Sequence, residues 1–90
     1  MTLDHDTRRD LRRRGHQLKA VVRTGAAGLT EPVLEEIERA LYDHELVKVK
    51  FVAGDRDERR SMIERTLERT GAELVQRTGQ VALIFRPRPE

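Results

Sequence analysis

Between Val33 and Phe51 the spacing of apolar residues changes once, and that change points the chain to an α/β fold. Val33, Leu34, Ile37, Ala40 and Leu41 recur at three- and four-residue intervals, the period of a helix with one buried face, while Glu31, Glu35, Glu36 and Glu38 fall mostly on the other. From Leu46 to Val52 the period drops to two, with Val47, Val49 and Phe51 on one side and Lys48 and Lys50 opposite. A helix handing over directly to a half-buried strand needs a second layer on which both can bury their apolar faces.

The flanking segments supply it. Thr7–Leu18 reads as an arginine-rich helix with one narrow apolar stripe, Leu11 and Leu18, and Gly15 between them permitting close approach to a neighbour. Ala20–Thr24 is a short strand. Thr30 is a good N-cap for the second helix, with Glu31 and Pro32 in its first turn. Asp55 caps a third helix, which buries Met62, Ile63 and Leu67 and stops at Thr70-Gly71. Ala72–Thr78 and Val81–Arg86 form a hairpin through Gly79-Gln80, and Pro87 and Pro89 end it. The expected order is α-β-α-β-α-β-β in a single compact domain over residues 7–87, with a loose tail at 1–6 and a short one at 88–90.

Ninety residues make one domain with a modest core. Although 38% of the chain is charged, Val, Leu, Ile and Phe are frequent enough for it to fold. The absence of cysteine removes disulfides, zinc knuckles and thiol nucleophiles, and fits a reducing, cytoplasmic setting. The longest apolar run, Val81–Phe85, is too short to span a membrane. With Tyr42, Phe51 and Phe85 as the only aromatics, a sheet that stacks bases on paired aromatic platforms is not expected.

The net charge of +2 hides an asymmetry. Up to Thr30, seven basic residues (Arg8, Arg9, Arg12, Arg13, Arg14, Lys19 and Arg23) stand against three acids, whereas Glu31–Glu45 holds six acids and only Arg39. A polyanion would meet the first third of the chain and be repelled by the segment after it. In that first third lies Gly25-Ala26-Ala27-Gly28, joining a strand to a helix. Glycines at both ends leave the backbone open, and the helix N-terminus behind them carries free N–H groups, so a phosphate could sit there. An ordinary strand-to-helix turn has the same glycine requirement; the nearby cations are what favour a ligand. If Val47, Val49 and Phe51 face the helices, Lys48 and Lys50 emerge on the other sheet face. By the same alternation Arg23 lies opposite Val22, and Arg86 opposite Leu83 and Phe85. The first helix, through Leu11 and Leu18, is the alternative cover for that face.

Catalysis has little to stand on. His5, His16 and His44 are far apart with no metal-ligand spacing, and Ser61, the one serine, has no nucleophile-elbow context. The GAAG stretch lacks the Lys-Ser/Thr ending of a nucleotide-binding loop. No catalytic residue, metal or cofactor is expected.

Leu11-Arg12, Gly15–Lys19, Val21-Val22 before Gly25–Thr30, then His44-Glu45-Leu46-Val47-Lys48-Val49-Lys50 and the closing Leu83–Pro87 together resemble the CRM domain (chloroplast RNA splicing and ribosome maturation) in its free-standing, bacterial YhbY-like form. The resemblance implies a mixed four-stranded sheet similar to the C-terminal domain of translation initiation factor 3. It also implies RNA binding, with ribosomal RNA of large-subunit precursors as the partner. Its RNA surface would map to Gly25, Ala26, Ala27 and Gly28 with Arg12, Lys19, Lys48 and Lys50, to which the charge pattern adds Arg13 and Arg23. This chain has Ala26 where a basic or amide residue is usual, Ala20 for a proline and Thr24 for an aliphatic residue. A monomer without membrane attachment is expected. The alternative is an adaptor that docks assembly factors through the acidic second helix.

Overall fold

The computed structural model describes residues 3–89, so Met1, Thr2 and Glu90 of the expected tails lie outside the described residues. The elements follow the expected order: α1 (His5–Gly15), β1 (Ala20–Arg23), α2 (Glu31–His44), β2 (Leu46–Lys50), α3 (Arg56–Thr70), β3 (Glu73–Thr78) and β4 (Val81–Phe85). The strands form one mixed sheet in the order β1-β2-β4-β3, with β1 parallel to β2 and the other two pairings antiparallel. A parallel pair needs a crossover, and α2 provides it.

Local chemistry sets the helix ends. Thr30 Oγ1 accepts from the Val33 N–H, and Asp55 accepts from the Glu58 N–H at 2.8 Å. Gly71, at φ 73°, closes α3 in the left-handed conformation. The start of α1 differs from expectation. Asp4 accepts from the Thr7 N–H at 2.7 Å, so the helix begins at His5 rather than Thr7. That hydrogen bond also holds the Asp4 carboxyl below its ordinary range. Leu3 is buried with Leu11, Leu46, Val75 and Leu83, so residues 3–6 belong to the packed unit rather than to a loose tail. The other end of α1 comes early as well, at Gly15, and leaves Leu18 37% exposed outside the apolar stripe. Gly15 is where the helix touches the sheet: a Cβ there would run into the methyls of Leu83.

Two cores flank the sheet. On one face, α2 and α3 bury Leu34, Ile37, Leu41, Met62 and Ile63 against Val22, Val47, Val49, Phe51, Ala82 and Ile84. On the other, α1 buries Leu3 and Leu11 against Leu46, Val75 and Leu83, with Phe85 at the margin. The sheet is therefore covered on both sides, although α1 covers only part of its face.

Register decides which side chains share a face. Lys48 pairs with Leu83 and Val47 with Ile84, and directly opposed residues point the same way. Lys48 thus lies on the α1 face beside Leu83, while Ile84 lies on the α2–α3 face. Arg86, two residues beyond Ile84, goes with it. This corrects the expected grouping of Arg86 with Lys48 and Lys50. Arg86 donates to Glu38 Oε2 at 3.0 Å and to the Thr70 carbonyl at 2.8 Å, tying α2 to the end of α3. Its side chain is 22% exposed. Arg86→Met is expected to lower the unfolding free energy by about 2 kcal/mol, since a charged donor to two half-buried acceptors is lost. An unchanged urea midpoint would show that the tie contributes nothing.

Candidate nucleic-acid interface

The GAAG loop is a closed turn. The Gly28 N–H donates to the Gly25 carbonyl at 3.0 Å, Gly28 takes φ 79°, and the Thr30 N–H donates to the Gly28 carbonyl at 3.1 Å. Ala26 and Ala27 are exposed at its tip, and their amides meet no acceptor among the described residues. Behind the loop, the N-terminus of α2 is largely satisfied. Thr30 caps Val33, Pro32 has no N–H, and Glu31 places its own carboxylate in the first turn, paired with Arg69. Arg69 holds that carboxyl below its ordinary range. The amides without an acceptor among the described residues are thus those of Gly25, Ala26, Ala27, Leu29 and Glu31, and the Glu31 carboxylate in the first turn makes the helix end itself a poor anion site.

Thr24, in front of the loop, is 1% exposed. Its Oγ1 accepts from the Val52 N–H at 2.8 Å and donates to the Val52 carbonyl at 3.2 Å. One hydroxyl therefore fastens the GAAG loop to the segment after β2. Between these two lies a depression of about 580 Å³ bordered by Arg23, Gly25, Ala26 and Gly54, with Glu58 also on its wall.

The basic residues of α1, of the β1–β2 edge and of the C-terminal segment fall into two groups. Arg8 donates to the carbonyls of Leu74 and Val75, and Arg88 to those of Tyr42 and Asp43, so both hold the fold together, as Arg86 does. The Arg88 N–H also donates to Glu45 at 2.6 Å, which anchors the chain at the start of the expected C-terminal tail. Arg13 pairs with Asp10 at 2.8 Å and lines a separate depression with Asp6 and Arg9, away from the other candidates. By contrast, Arg12, Lys19, Arg23, Lys48 and Lys50 have no acidic partner among the described residues. Arg12 is half-buried on α1 and borders neither the loop depression nor those beside Lys48. The other four cluster around the β1–β2 edge: Lys48 is registered with Ala20, next to Lys19, and Lys50 with Arg23.

At this edge the residues after α1 form two shallow depressions. One, of about 380 Å³, is bordered by Arg14, Lys19, His44 and Lys48, and the other, of about 520 Å³, by His16, Lys48 and Gln76. Among the described residues neither has an acid in its lining. Arg14, His16 and His44 lie outside the expected site residues: the turn after Gly15, in place of a helix running to Leu18, brings His16 over this face, Arg14 sits in the last turn of α1, and His44 reaches Lys48 from the end of α2. The model for the CRS1/YhbY (CRM) domain matches residues 3–86. The chain belongs to this family.

Among its relatives are a probable RNA-binding protein of Pseudomonas aeruginosa, 41% identical over 90 residues (100% of this chain, 86% of the other), and an RNA-binding protein of Haemophilus influenzae, 40% identical over 89 residues (99% and 90%). The fold is similar to the solution structure of a hypothetical Staphylococcus aureus protein described as a candidate RNA-binding protein. The TM-score is 0.83 at 29% identity, covering 99% of this chain and 93% of that one. In this CRM domain the acids of α2 are partly committed within the fold, Glu31 to Arg69 and Glu38 to Arg86, while Glu35 and Glu36 stay exposed. Among the described residues no cluster of three His, Cys, Asp or Glu is placed to hold a metal. No helix among them is long and apolar enough to cross a membrane.

Proposed function

We propose that this chain is a non-catalytic RNA-binding protein that engages structured ribosomal RNA during large-subunit assembly, acting as a monomer in the cytoplasm. The observation that carries the RNA reading is the group of unpaired cations on one edge of the sheet, running from Lys19 and Lys48 to Lys50 and Arg23 and on to the free amides of Ala26 and Ala27. Cations held in place by a sheet but neutralised by no internal acid are available to phosphates, and backbone amides at the loop tip can fix the register of a strand. The names of the Pseudomonas and Haemophilus relatives support the same ligand. The ribosomal assignment rests on the family resemblance.

The five candidate cations without acidic partners set the expected salt response. If Arg12, Lys19, Arg23, Lys48 and Lys50 each neutralise one phosphate, log K falls with log salt at a slope of roughly −3.5 to −4.5. A flat response would discredit the charge-driven mechanism. A Cβ at Gly25 meets nothing within 4 Å, and Gly25 is not at positive φ, so Gly25→Asp is expected to weaken RNA binding several-fold while leaving the melting temperature unchanged. Crosslinking in cells, followed by RNA sequencing across gradient fractions that separate ribosomal subunits, tests the partner. Crosslinks to large-subunit precursors are the expected result, and crosslinks confined to other RNAs would remove the ribosomal reading.

A further inference from the structure

The α1 face of the sheet holds a feature that phosphate attraction leaves unused. Pairing runs across all four strands in two adjacent rows: Ala20, Lys48, Leu83 and Gln76 in one, Arg23, Lys50, Val81 and Thr78 in the next. Each row therefore carries a neutral hydrogen-bonding side chain on β3 and an aliphatic one on β4, followed by a lysine on β2. An irregularity between Leu74 and Gln76 resets the register of β3 and brings Gln76 opposite Leu83. Because α1 stops at Gly15, this part of the face is left open, and it forms the floor of the depression of about 520 Å³.

The lining has the character of a small-molecule site: an apolar floor with a few convergent polar groups, in a volume inside the roughly 300–1,000 Å³ of such pockets. Leu83 and Val81 make the floor, Leu18 and His16 stand at the α1 side, and Gln76 and Thr78 offer an amide and a hydroxyl. Lys48 closes the remaining side, and no carboxylate lines it among the described residues. Two strand spacings, about 9–10 Å, separate the β3 polar groups from the β2 lysines, a span comparable to one nucleotide from base edge to phosphate. A ligand that fits is planar and neutral at one end and anionic at the other.

We propose that this depression receives the base of a single unpaired nucleotide, splayed out of a structured RNA. The base lies on Leu83 and Val81 with the His16 ring as its stacking partner, its edge bonds to Gln76 and Thr78, and its phosphate meets Lys48 and Lys50. The proposal rests on the RNA-binding reading above and adds a preference that backbone contacts alone do not produce, because base readout in RNA needs unstacked nucleotides.

The test uses three RNA hairpins of one stem sequence: fully paired, with a single-nucleotide bulge, and with an abasic residue in the bulge. The wild-type protein is expected to bind the bulged hairpin about tenfold more tightly than either of the others, within the range of one stacked base. Gln76 and Thr78 are exposed, so a Gln76→Ala/Thr78→Ala variant should melt like wild type. It should bind all three hairpins alike, at the wild-type affinity for the paired one. Ala20→Phe, which fills the depression from β1, should do the same. Lys19→Gln, outside this depression, should weaken all three in equal proportion. Equal binding of the three hairpins by wild type, or a bulge preference that survives both pocket variants, would overturn the base site and leave the RNA reading intact. Failure to bind any hairpin at low salt would overturn both.

Discussion

Lys19→Gln, Arg23→Gln and Lys48→Gln combined in one chain should lower affinity for a structured RNA about a hundredfold near physiological salt. Each phosphate contact contributes roughly 0.7–0.9 to the slope of log K against log salt, and about 0.15 M salt lies a little under one log unit below the 1 M reference, so three contacts together account for about two log units. The three residues have no acidic partner to be released by the change, and Lys19 and Arg23 are exposed while Lys48 is half-buried. Stability is therefore expected to stay near wild type. The salt slope should flatten by about 2–3 units, and the affinities of wild type and variant should converge toward 1 M salt. Titrations at several salt concentrations check both. Parallel lines separated by a constant offset would mean that the three cations act through the fold rather than on phosphates.

Thr24→Val should destabilise the domain by about 2–3 kcal/mol, or roughly 10–20 °C in melting temperature for a chain of this size. The substitution keeps the shape of the side chain but removes the hydroxyl that both accepts from and donates to Val52. The Val52 N–H and carbonyl are then left without partners beside a residue that is 1% exposed. Thr24→Ser, which retains the oxygen, should recover most of the loss. Because this clamp holds the GAAG loop against the segment after β2, Thr24→Val should also speed hydrogen exchange at Gly28 and Val52, whose N–H groups are bonded in the folded loop and clamp, ahead of global unfolding. If melting is unchanged, water replaces the hydroxyl and the clamp is not structural.

What was legible along the chain is largely what depends on near neighbours. The change of period at Glu45 is local, as are the caps at Thr30 and Asp55 and the left-handed stop at Gly71. The order of elements followed from these. Residues 25–28 could be read as a tight open loop for the same reason, since only glycine there takes φ 79° at little cost. Arg12, Lys19 and Arg23 were already visible within a basic excess, and Lys48 and Lys50 as the polar side of a strand, but their lack of acidic partners was not. Arg8 and Arg86, equally basic in the sequence, hydrogen-bond to backbone carbonyls 66 and 16 residues away. The partners of Glu31 and Glu38 lie 38 and 48 residues away, and no spacing rule reaches that far.

The faces of β4 show the division most clearly. Alternation tells which residues of a strand share a side, but only where one side is polar does it tell which side is the core. Val81–Phe85 is apolar throughout, because β4 is an inner strand with helices against both of its faces. Its sequence therefore identifies a strand and carries no parity. The pairing of Leu83 with Lys48 assigns it, moving Arg86 to the α2–α3 side and leaving Leu83 and Val81 under the open depression. Composition and period were enough to specify the kind of domain and the cationic third of the chain. Which cations remain free, and what lies between them, was decided by strand register and by where α1 ends, since both depend on contacts between residues far apart along the chain.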